Sequence, residues 1–367
     1  MSLAKLLGAL LWLCAFAPSA GAQLNGDQKV WEETLAAAKK EGKVVVMGSP
    51  DPGMRNDIVP KFTERYGIKV EFIAGRSGQL AERVRIERSS GIYSVDVFLS
   101  GVGTTFYALQ AGKMLDPIKP ILMLPEVTDG SKWKTGKPFF VDREEQYVLM
   151  MFRSVDSLLF INEKYVKPEE IRSVKDLLNP KWKGKIATQD PLVIGQGSEV
   201  ANHFYHEMGP EFVKALYVDQ APVKNHDRRQ LMDWLARGAY PICLTCKVEE
   251  AGDLQKEGFR LVEIFDLEGI RNRVTSSPFL MSLANKAPNP NAARVFVNWM
   301  ATKEALEIYS RNNGTATLRT DVDESFLNPQ IIPKPSKEYV DVTRPEWVDS
   351  GREQTTEKMR AVIRGNK

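Results

Sequence analysis

Short apolar runs alternate with helical patterns along the first third of the chain. Residues 43–47 form an apolar run with three valines, which predicts a buried strand, and they follow a helical pattern over 28–41 that stops at Gly42. The same order of strand and helix recurs twice more, at 69–73 with 77–88 and at 94–99 with 101–112. Strands that alternate with helices indicate a mostly parallel sheet covered on both faces. The pattern therefore predicts an α/β protein.

The middle of the chain repeats this theme without a flexible linker. The predicted strands there are 148–152, 158–161, 185–188 and 240–244, and the predicted helices are 174–178, 198–208 and 227–236. Gly209 is expected to end the second of these helices. Because no Gly/Ser-rich tract separates the halves, we expect two lobes joined by strands.

Three loops follow the predicted strands of the first sheet, at 48–51, 75–78 and 100–103. Ligands of open α/β sheets bind beyond the carboxyl ends of the strands. Each loop is small and polar and leads toward the N-terminus of a helix, where backbone amides can receive an anion. The sequence therefore predicts a ligand site at this edge.

The amino-terminal segment has the features of a secretory signal. Lys5 precedes an apolar run over 6–17, and the small residues Ala20, Gly21 and Ala22 follow it. The run is too short for a stable membrane span, and the order matches a signal peptide over 1–22. Because Leu13, before Cys14, is not small, a lipid anchor is not expected. We predict a soluble protein in the periplasm or otherwise exported.

Charge and composition exclude several classes of protein. The chain has 50 Lys and Arg against 47 Asp and Glu, so its formal charge is only +3. Proteins that bind nucleic acid by neutralising phosphates usually carry a marked basic excess, so no nucleic acid partner is expected. The 43% of apolar and 26% of charged residues are ordinary for a globular protein.

Two cysteines remain after the predicted signal, Cys243 and Cys246 in a C-x-x-C spacing. A disulfide is the first interpretation for an exported chain. It requires Cα atoms within about 7 Å, so the chain must turn at Leu244 and Thr245. Half of a metal site and a thioredoxin-like redox site are weaker alternatives, because no second C-x-x-C and no redox fold context accompanies them.

One stretch carries a family resemblance. Residues 279–306 read FLMSLANKAPNPNAARVFVNWMATKEAL, and they resemble the family-1 extracellular solute-binding proteins of ABC importers, especially the ferric-iron-binding-like group. LRTDV at 318–322, NEKY at 162–165 and PKWKGKI at 180–186 fit the same family. The residues of the long stretch are also compatible with a capped amphipathic helix that needs no chemistry.

The resemblance implies a type II periplasmic-binding fold, in which two α/β lobes close on a ligand about a strand hinge. The lobes are expected at 23–150 with 275–325 and at 151–274 with 326–367. The chain should cross between them near 150–158 and 274–281. The implied partners are a small solute and a membrane permease, the protein is expected to be a monomer, and neither a cofactor nor an enzymatic activity is expected.

Ferric members of this group hold iron with tyrosinates, commonly an adjacent Tyr-Tyr pair in the second lobe. The sequence has no such pair, and its first loop contains neither Tyr nor His. Tyr205 alone is near the region expected for the pair. A ferric receptor is therefore an alternative to a receptor for an organic anion.

The polar residues at the predicted cleft fit an anionic solute. Arginine binds carboxylate and phosphate through paired hydrogen bonds. Arg228 stands at a helix start, where a cation opposes the dipole and needs Asp227 or a bound anion as compensation. Asp51 and Asp190 are suited to an amine, so a zwitterion stays open. The residues predicted to bind the ligand are Ser49, Asp51, Arg76, Ser77, Ser100, Arg153, Asp190, Gln196, Gly197, Ser198, Arg228 and Thr245.

Other chemistry has weaker support. His203 and His206 lie three apart on a predicted helix with Glu199 one turn earlier, a spacing that zinc sites use. No fourth ligand is evident, and we expect this helix face to be exposed, so no metal is predicted. H-E-x-x-H, G-x-S-x-G and P-loop motifs are absent from the sequence, so no catalytic residue is predicted. An exported thiol or redox protein, or a hydrolase, is the second alternative.

Overall fold

The computed structural model describes residues 26–75, 77–193, 195–276, 279–343, 347 and 352–365. The predicted signal peptide at 1–22 and Arg76 lie outside the described residues. In the part that is described, no helix combines the length and the apolar character that crossing a membrane requires.

Most strands are short, as expected for buried strands. They are β1 Lys43–Gly48, β2 Lys69–Ala74, β3 Val97–Ser100, β4 Leu115–Asp116, β5 Phe139–Phe140, β6 Val148–Met150, β7 Ser154–Val155, β8 Leu159–Asn162, β9 Ile186–Thr188, β10 Val223–Lys224, β11 Ile242–Cys243, β12 Leu261–Ile264, β13 Arg273–Thr275, β14 Leu280–Ala284 and β15 Val340–Asp341.

The α-helices are α1 Gly26–Glu41, α2 Val59–Tyr66, α3 Ser77–Ser89, α4 Val102–Thr104, α5 Pro125–Thr128, α6 Gln196–Lys214, α7 Arg228–Arg237, α8 Val248–Lys256, α9 Pro290–Met300, α10 Lys303–Asn313 and α11 Arg352–Arg364. Single turns of π-helix occur at Met54–Ile58, Thr105–Gln110 and Ala215–Asp219, and 3₁₀ turns at Lys119–Ile121, Gly130–Lys132, Pro168–Glu170, Val174–Leu178 and Pro180–Trp182.

The first large sheet has the order β2-β1-β3-β14-β6-β5, with β4 paired to β14. Its β2-β1-β3 part is parallel, whereas β14, β6 and β5 pair antiparallel. Phe62 packs against Phe296 and Trp299 of α9 at ring-centroid distances of 5.2 and 5.4 Å. The predicted alternation of strand and helix is therefore confirmed here.

The second large sheet has the order β10-β9-β11-β8-β12. Strands β9, β10 and β11 are parallel, and β8 pairs antiparallel with β11 and β12. Helix α6 covers this sheet with Phe204 and Val213, and α11 adds Met359 to the same core. Each large sheet thus has its own hydrophobic core.

A third, small sheet has the order β15-β13-β7, and its strands β7 and β13 lie in the chain between strands of the two large sheets. The chain passes from β6 through β7 to β8, and it returns from β12 through β13 to β14. These are the two crossings that the family resemblance predicts. The lobe boundaries at 23–150 with 275–325 and at 151–274 with 326–367 stay predictions.

Some elements differ from the predicted ones. The helix expected to end at Gly209 does break there, because Gly209 is non-helical at φ 80° and ψ 177°, but a second helical segment begins at Pro210, so α6 is longer than predicted and kinked. The strand expected at 240–244 is paired only over Ile242–Cys243, since the chain turns directly after Cys243. The helix expected at 174–178 is a 3₁₀ turn capped by Ser173.

Candidate functional site

The loops of the first lobe leave its sheet at one level. Gly48 pairs with Ala74 of β2 and with Leu99 of β3, so Ser49 and Gly75, which follow β1 and β2, lie level with Ser100, the last residue of β3. Ser49 is exposed at this edge. The parallel register thus brings the predicted loops together.

Two predicted residues of this edge have internal partners. Asp51 accepts a hydrogen bond from the backbone N–H of Met54 at 2.9 Å and another from the hydroxyl of Tyr309. Ser100 is buried, and its hydroxyl shares a 2.7 Å hydrogen bond with that of Thr105. Ser77 is the first residue of α3. These bonds shape the loops, and direct ligand contact by the three residues stays a prediction.

The loops of the second lobe are tied to one another. Thr188 of β9 pairs with Lys224, and the next residue, Gln189, donates its backbone N–H to the Thr245 hydroxyl oxygen at 2.7 Å. The Gln189 side chain donates to the carbonyl of His226 at 3.4 Å. The predicted residue Thr245 therefore joins the loop after β11 to the loop after β9.

The start of α6 is fitted closely against the loop after β9. Gly195 has φ 146°, a conformation that favours glycine. A Cβ on Gly197 would lie 2.7 Å from the carbonyl oxygens of both Gln189 and Asp190. Ser198 bonds back to Gly195, accepting from its N–H at 3.2 Å and donating to its carbonyl at 2.8 Å. The structure thus brings the first turn of α6 to the carboxyl end of β9.

That first turn has the chemistry of an anion site. The first N–H groups of an α-helix have no acceptor within the helix, and the dipole places partial positive charge there. Gln196, Gly197 and Ser198 contribute these groups. Asp190, at the same turn, accepts the Leu192 N–H at 3.0 Å.

Helix α7 begins beside this turn with its own cap. Asp227 accepts from the N–H groups of Arg229 at 2.9 Å and Gln230 at 3.4 Å. Arg228 is the first residue of the helix and is half-buried. The compensation expected for a cation at this position is therefore present as Asp227.

The predicted disulfide is present. Cys243 and Cys246 are bonded, with their Cα atoms 5.7 Å apart, and the chain turns at Leu244 and Thr245. Because both sulfurs are used, they do not form half of a metal site. Nor do the described residues contain a group of three His, Cys, Asp or Glu side chains placed to hold a metal ion.

Arg153 lies on the segment that crosses between the lobes. Its guanidinium pairs with the carboxylate of Asp341 at 2.8 Å, and its side chain is 30% exposed. The pair joins the crossing segment to β15. Anion binding by Arg153 stays a prediction, and such an anion would share the guanidinium with Asp341.

No pattern in the sequence indicated the buried ionic cluster at the same crossing. Asp156, between β7 and β8, binds Lys247 through one carboxylate oxygen at 2.8 Å and Arg273 through the other at 2.5 Å. Burial favours the protonated acid, but the two cations and their hydrogen bonds outweigh it, so the pKa of Asp156 is lowered. The Asp156 carboxyl is therefore ionised at neutral pH.

The histidines of α6 do not form a zinc site. The prediction of an exposed helix face is wrong at His203. This side chain is only 2% exposed, because α11 packs across α6. His203 Nε2 lies 2.8 Å from the Arg271 carbonyl oxygen, and burial lowers the pKa of His203 to about 3. His206 instead pairs with Glu207 at 3.0 Å.

Two tyrosines near the predicted edges are candidates for binding iron, and both have other contacts. Tyr205 is half-buried against the core of the second lobe. Tyr309 is buried, and its hydroxyl donates to Asp51 at the edge of the first lobe. The described residues at the two edges thus do not contain the adjacent tyrosine pair that the family resemblance leads us to expect in a ferric receptor.

A separate cavity of about 640 Å³ opens on the first lobe among α1, α2 and the start of α10. Trp31, Tyr66 and Glu304 are among its lining residues, and none of the predicted ligand residues is. It is therefore distinct from the edges described above.

Comparisons with known proteins place this site in context. The family model of bacterial extracellular solute-binding proteins matches residues 43–314. The iron uptake protein A1 of Synechocystis sp. is 25% identical over 131 residues, which are 36% of this chain and 33% of that protein. The match thus spans about a third of the length of this curated relative.

Solved structures are similar over nearly their whole length. Trichodesmium IdiA (FutA), in complex with iron and citrate, has a TM-score of 0.60 and 19% identity, covering 88% of this chain and 99% of its own. AfuA from Actinobacillus pleuropneumoniae, with fructose-6-phosphate bound, has a TM-score of 0.67 and 17% identity. The match covers 88% of this chain and 99% of AfuA. Iron-bound HitA from Pseudomonas aeruginosa has a TM-score of 0.64 and 15% identity. The match covers 88% of this chain and 98% of HitA. These likenesses confirm the predicted type II periplasmic-binding fold.

Proposed function

Because the chain belongs to the bacterial extracellular solute-binding proteins, which serve ABC importers, we propose that it is an exported receptor for a small organic anion. The anion is a carboxylate, a phosphonate or a phosphate. The receptor acts as a monomer, delivers its solute to a membrane permease, and carries out no covalent chemistry.

The observation that carries this proposal is the start of α6. Gly197 brings the first helical turn within contact of the Gln189 and Asp190 carbonyls, at the edge where the loops after β9, β10 and β11 meet. Backbone N–H groups at a helix N-terminus select anions. Arg228, at the start of the neighbouring helix α7, adds a guanidinium suited to carboxylate or phosphate.

Closure of the two lobes supplies the signal for the permease. Strands of the two large sheets are connected along the chain through β7 and β13, so a change of backbone angles in these crossings moves one lobe against the other. Hinge closure around a ligand is a common switching mode. The closed, loaded form is the one that the permease recognises.

Ferric iron is the second candidate, and the relatives favour it. The Synechocystis relative is an iron uptake protein, and the Trichodesmium and Pseudomonas structures contain iron. Against it stand the absence of a Tyr-Tyr pair from the sequence and the internal bond of Tyr309. Fructose-6-phosphate in the Actinobacillus structure shows that an organic anion is a ligand of one similar protein.

Isothermal titration calorimetry separates the two candidates. The mature protein is titrated with citrate, inorganic phosphate, fructose-6-phosphate, 2-aminoethylphosphonate and ferric nitrilotriacetate. We expect a free anion to bind with micromolar affinity, which corresponds to about −8 kcal/mol. Binding of iron from ferric nitrilotriacetate, with a visible tyrosinate-to-iron absorption band and no binding of the free anions, would contradict the proposal.

A matched pair of variants then locates the site. Arg228→Ala removes the arginine that begins α7, and Arg237→Ala removes the one that ends it, where Asp233 is its partner at 2.6 Å. We expect the first variant to bind the anion about 10-fold more weakly, an effect of about 1.4 kcal/mol. The second should bind like the wild type. Equal affinity of both variants would exclude Arg228 from the site.

A further inference from the structure

The buried cluster of Asp156, Lys247 and Arg273 has no role in the function described so far. Lys247 follows Thr245 by two residues, directly after the disulfide-bonded turn. Its ammonium reaches Asp156 on the segment between β7 and β8. The cluster therefore lies where the ligand-facing edge of the second lobe meets the crossing between the lobes.

The cluster contains one carboxylate for two cations. Each carboxylate oxygen of Asp156 is occupied by a different cation, and neither Lys247 nor Arg273 forms an ion pair with another carboxylate among the side chains that the structure describes. His203, which the positive charge of Arg273 affects, is neutral at pH 7 because its pKa is lowered to about 3. Among the described side chains, these ion pairs thus leave one positive charge in excess in a largely buried place.

An excess charge of this kind is unfavourable without a counter-charge. Burying a charge is expensive unless it is paired and hydrogen-bonded. Arg273 is 6% exposed at its side chain, whereas Lys247 is 18% exposed. The ammonium has three N–H donors, and Asp156 takes one of them. Lys247 is therefore the member of the cluster that has donors and access for an external anion.

We propose that Lys247 is a ligand-binding residue whose ammonium pairs with the carboxylate or phosphate group of the solute. This inference rests on the proposed function and makes it more specific. The negative group of the solute supplies the charge that Asp156 alone does not balance. The bound anion lies between the turn at Thr245 and the crossing segment at Asp156, so its binding and the closure of the lobes are linked.

Two substitutions with opposite effects test this assignment. Lys247→Gln leaves Asp156 and Arg273 as a balanced pair, so the variant should fold with a melting temperature near that of the wild type. Its affinity for the anion should fall at least 10-fold. Asp156→Asn leaves two cations without a carboxylate, so its melting temperature should fall, but added anion should raise it by more than in the wild type.

The measurement is thermal unfolding in citrate and in inorganic phosphate, against sodium chloride of the same ionic strength, with calorimetry for affinities. Lys175→Gln, an exposed lysine on the 3₁₀ turn at Val174–Leu178, is the control and should behave like the wild type. Lys247→Met, which keeps the aliphatic stem, replaces the Gln variant if that variant unfolds.

The outcomes separate failure of this inference from failure of the proposed function. If the wild type binds citrate or phosphate and the Lys247 variants bind it equally well, Lys247 is only structural and the proposed function stands. An anion-induced shift in Asp156→Asn no larger than in the wild type also overturns the assignment. If the wild type binds neither these two anions nor any other free anion of the calorimetric series, the assignment and the proposed function fall together.

Discussion

Replacing Gly197 with alanine should displace the start of α6. The added Cβ would lie 2.7 Å from the carbonyl oxygens of Gln189 and Asp190, and 2.8 Å from the Gln189 carbonyl carbon. These are backbone atoms of the loop after β9, so they cannot rotate aside as a side chain does. Because Gly197 does not have a positive φ, the effect comes from this contact and not from backbone strain.

The size of the effect follows from the overlap. An ordinary contact of a Cβ is at least 3.4 Å, so the loop and the helix must separate by about 0.7 Å. Overpacking of this kind destabilises a protein by about 1–3 kcal/mol. The shift also moves the first-turn amides that we assign to the anion, so affinity should fall by about 10-fold, or about 1.4 kcal/mol.

Urea unfolding and calorimetry measure the two effects on the same samples. Gly252→Ala is the control, because Gly252 lies inside α8 with open space around its Cβ position. This change should stabilise the protein by about 0.5–1 kcal/mol and leave binding unchanged. A Gly197→Ala variant that is as stable as the wild type and binds the anion as tightly would refute this prediction.

Three further predictions concern stability, each measured by urea unfolding. Changing Cys243 and Cys246 together to serine should lower the free energy of unfolding by about 2 kcal/mol, since the closed loop is short, and an unchanged urea midpoint would contradict this. The pKa of His203 is lowered to about 3 from 6.5, chiefly by burial, so the folded state binds its proton less readily than the unfolded chain. The lowered pKa of His203 therefore makes the free energy of unfolding depend on pH. Its full contribution is present above pH 6.5, and the free energy of unfolding falls by up to about 1.4 kcal/mol per pH unit as the pH decreases toward 3. His203→Gln should therefore lose less stability between pH 7 and pH 5 than the wild type, and equal losses would refute this. Arg319 is fully buried and donates to Asp321 and to two backbone carbonyls. Arg319→Met should cost about 3 kcal/mol, because it leaves these acceptors without their donor, and a loss below about 1 kcal/mol would show that they find other partners.

Local patterns predicted the parts of the fold that depend on near neighbours in sequence. The apolar run before Gly48 is the buried strand β1, and the C-x-x-C spacing gives a bonded turn at Leu244 and Thr245. Helix α7 begins at Arg228, one residue after the predicted start at Asp227. In each case the deciding interactions lie within a few residues of one another.

Long-range contacts explain what the sequence could not show. His203 was expected on an exposed face, but α11 packs on α6, and Asn202 donates to Thr356 at 3.2 Å across 154 residues of chain. Asp156 lies 91 residues from Lys247 and 117 from Arg273, so no spacing rule brings the cluster together.

In the candidate site, too, local sequence predicted some features, whereas long-range contacts determine the others. The glycines and Ser198 at the start of α6 were predicted from their order in the sequence. The close approach of Gly197 to the loop after β9 depends on the tertiary fold, as does the pairing of Arg153 with Asp341. Isolated charges in a sequence do not reveal which of them already have a partner.

Native mass spectrometry tests the central claim most directly. The mature protein is incubated with equimolar citrate, fructose-6-phosphate and ferric citrate, and its native mass is compared with its denatured mass. We predict a single retained adduct with the mass of one free organic anion and without iron. An adduct that contains iron, or protein that retains none of the three, would contradict the account of this chain as a receptor for an organic anion.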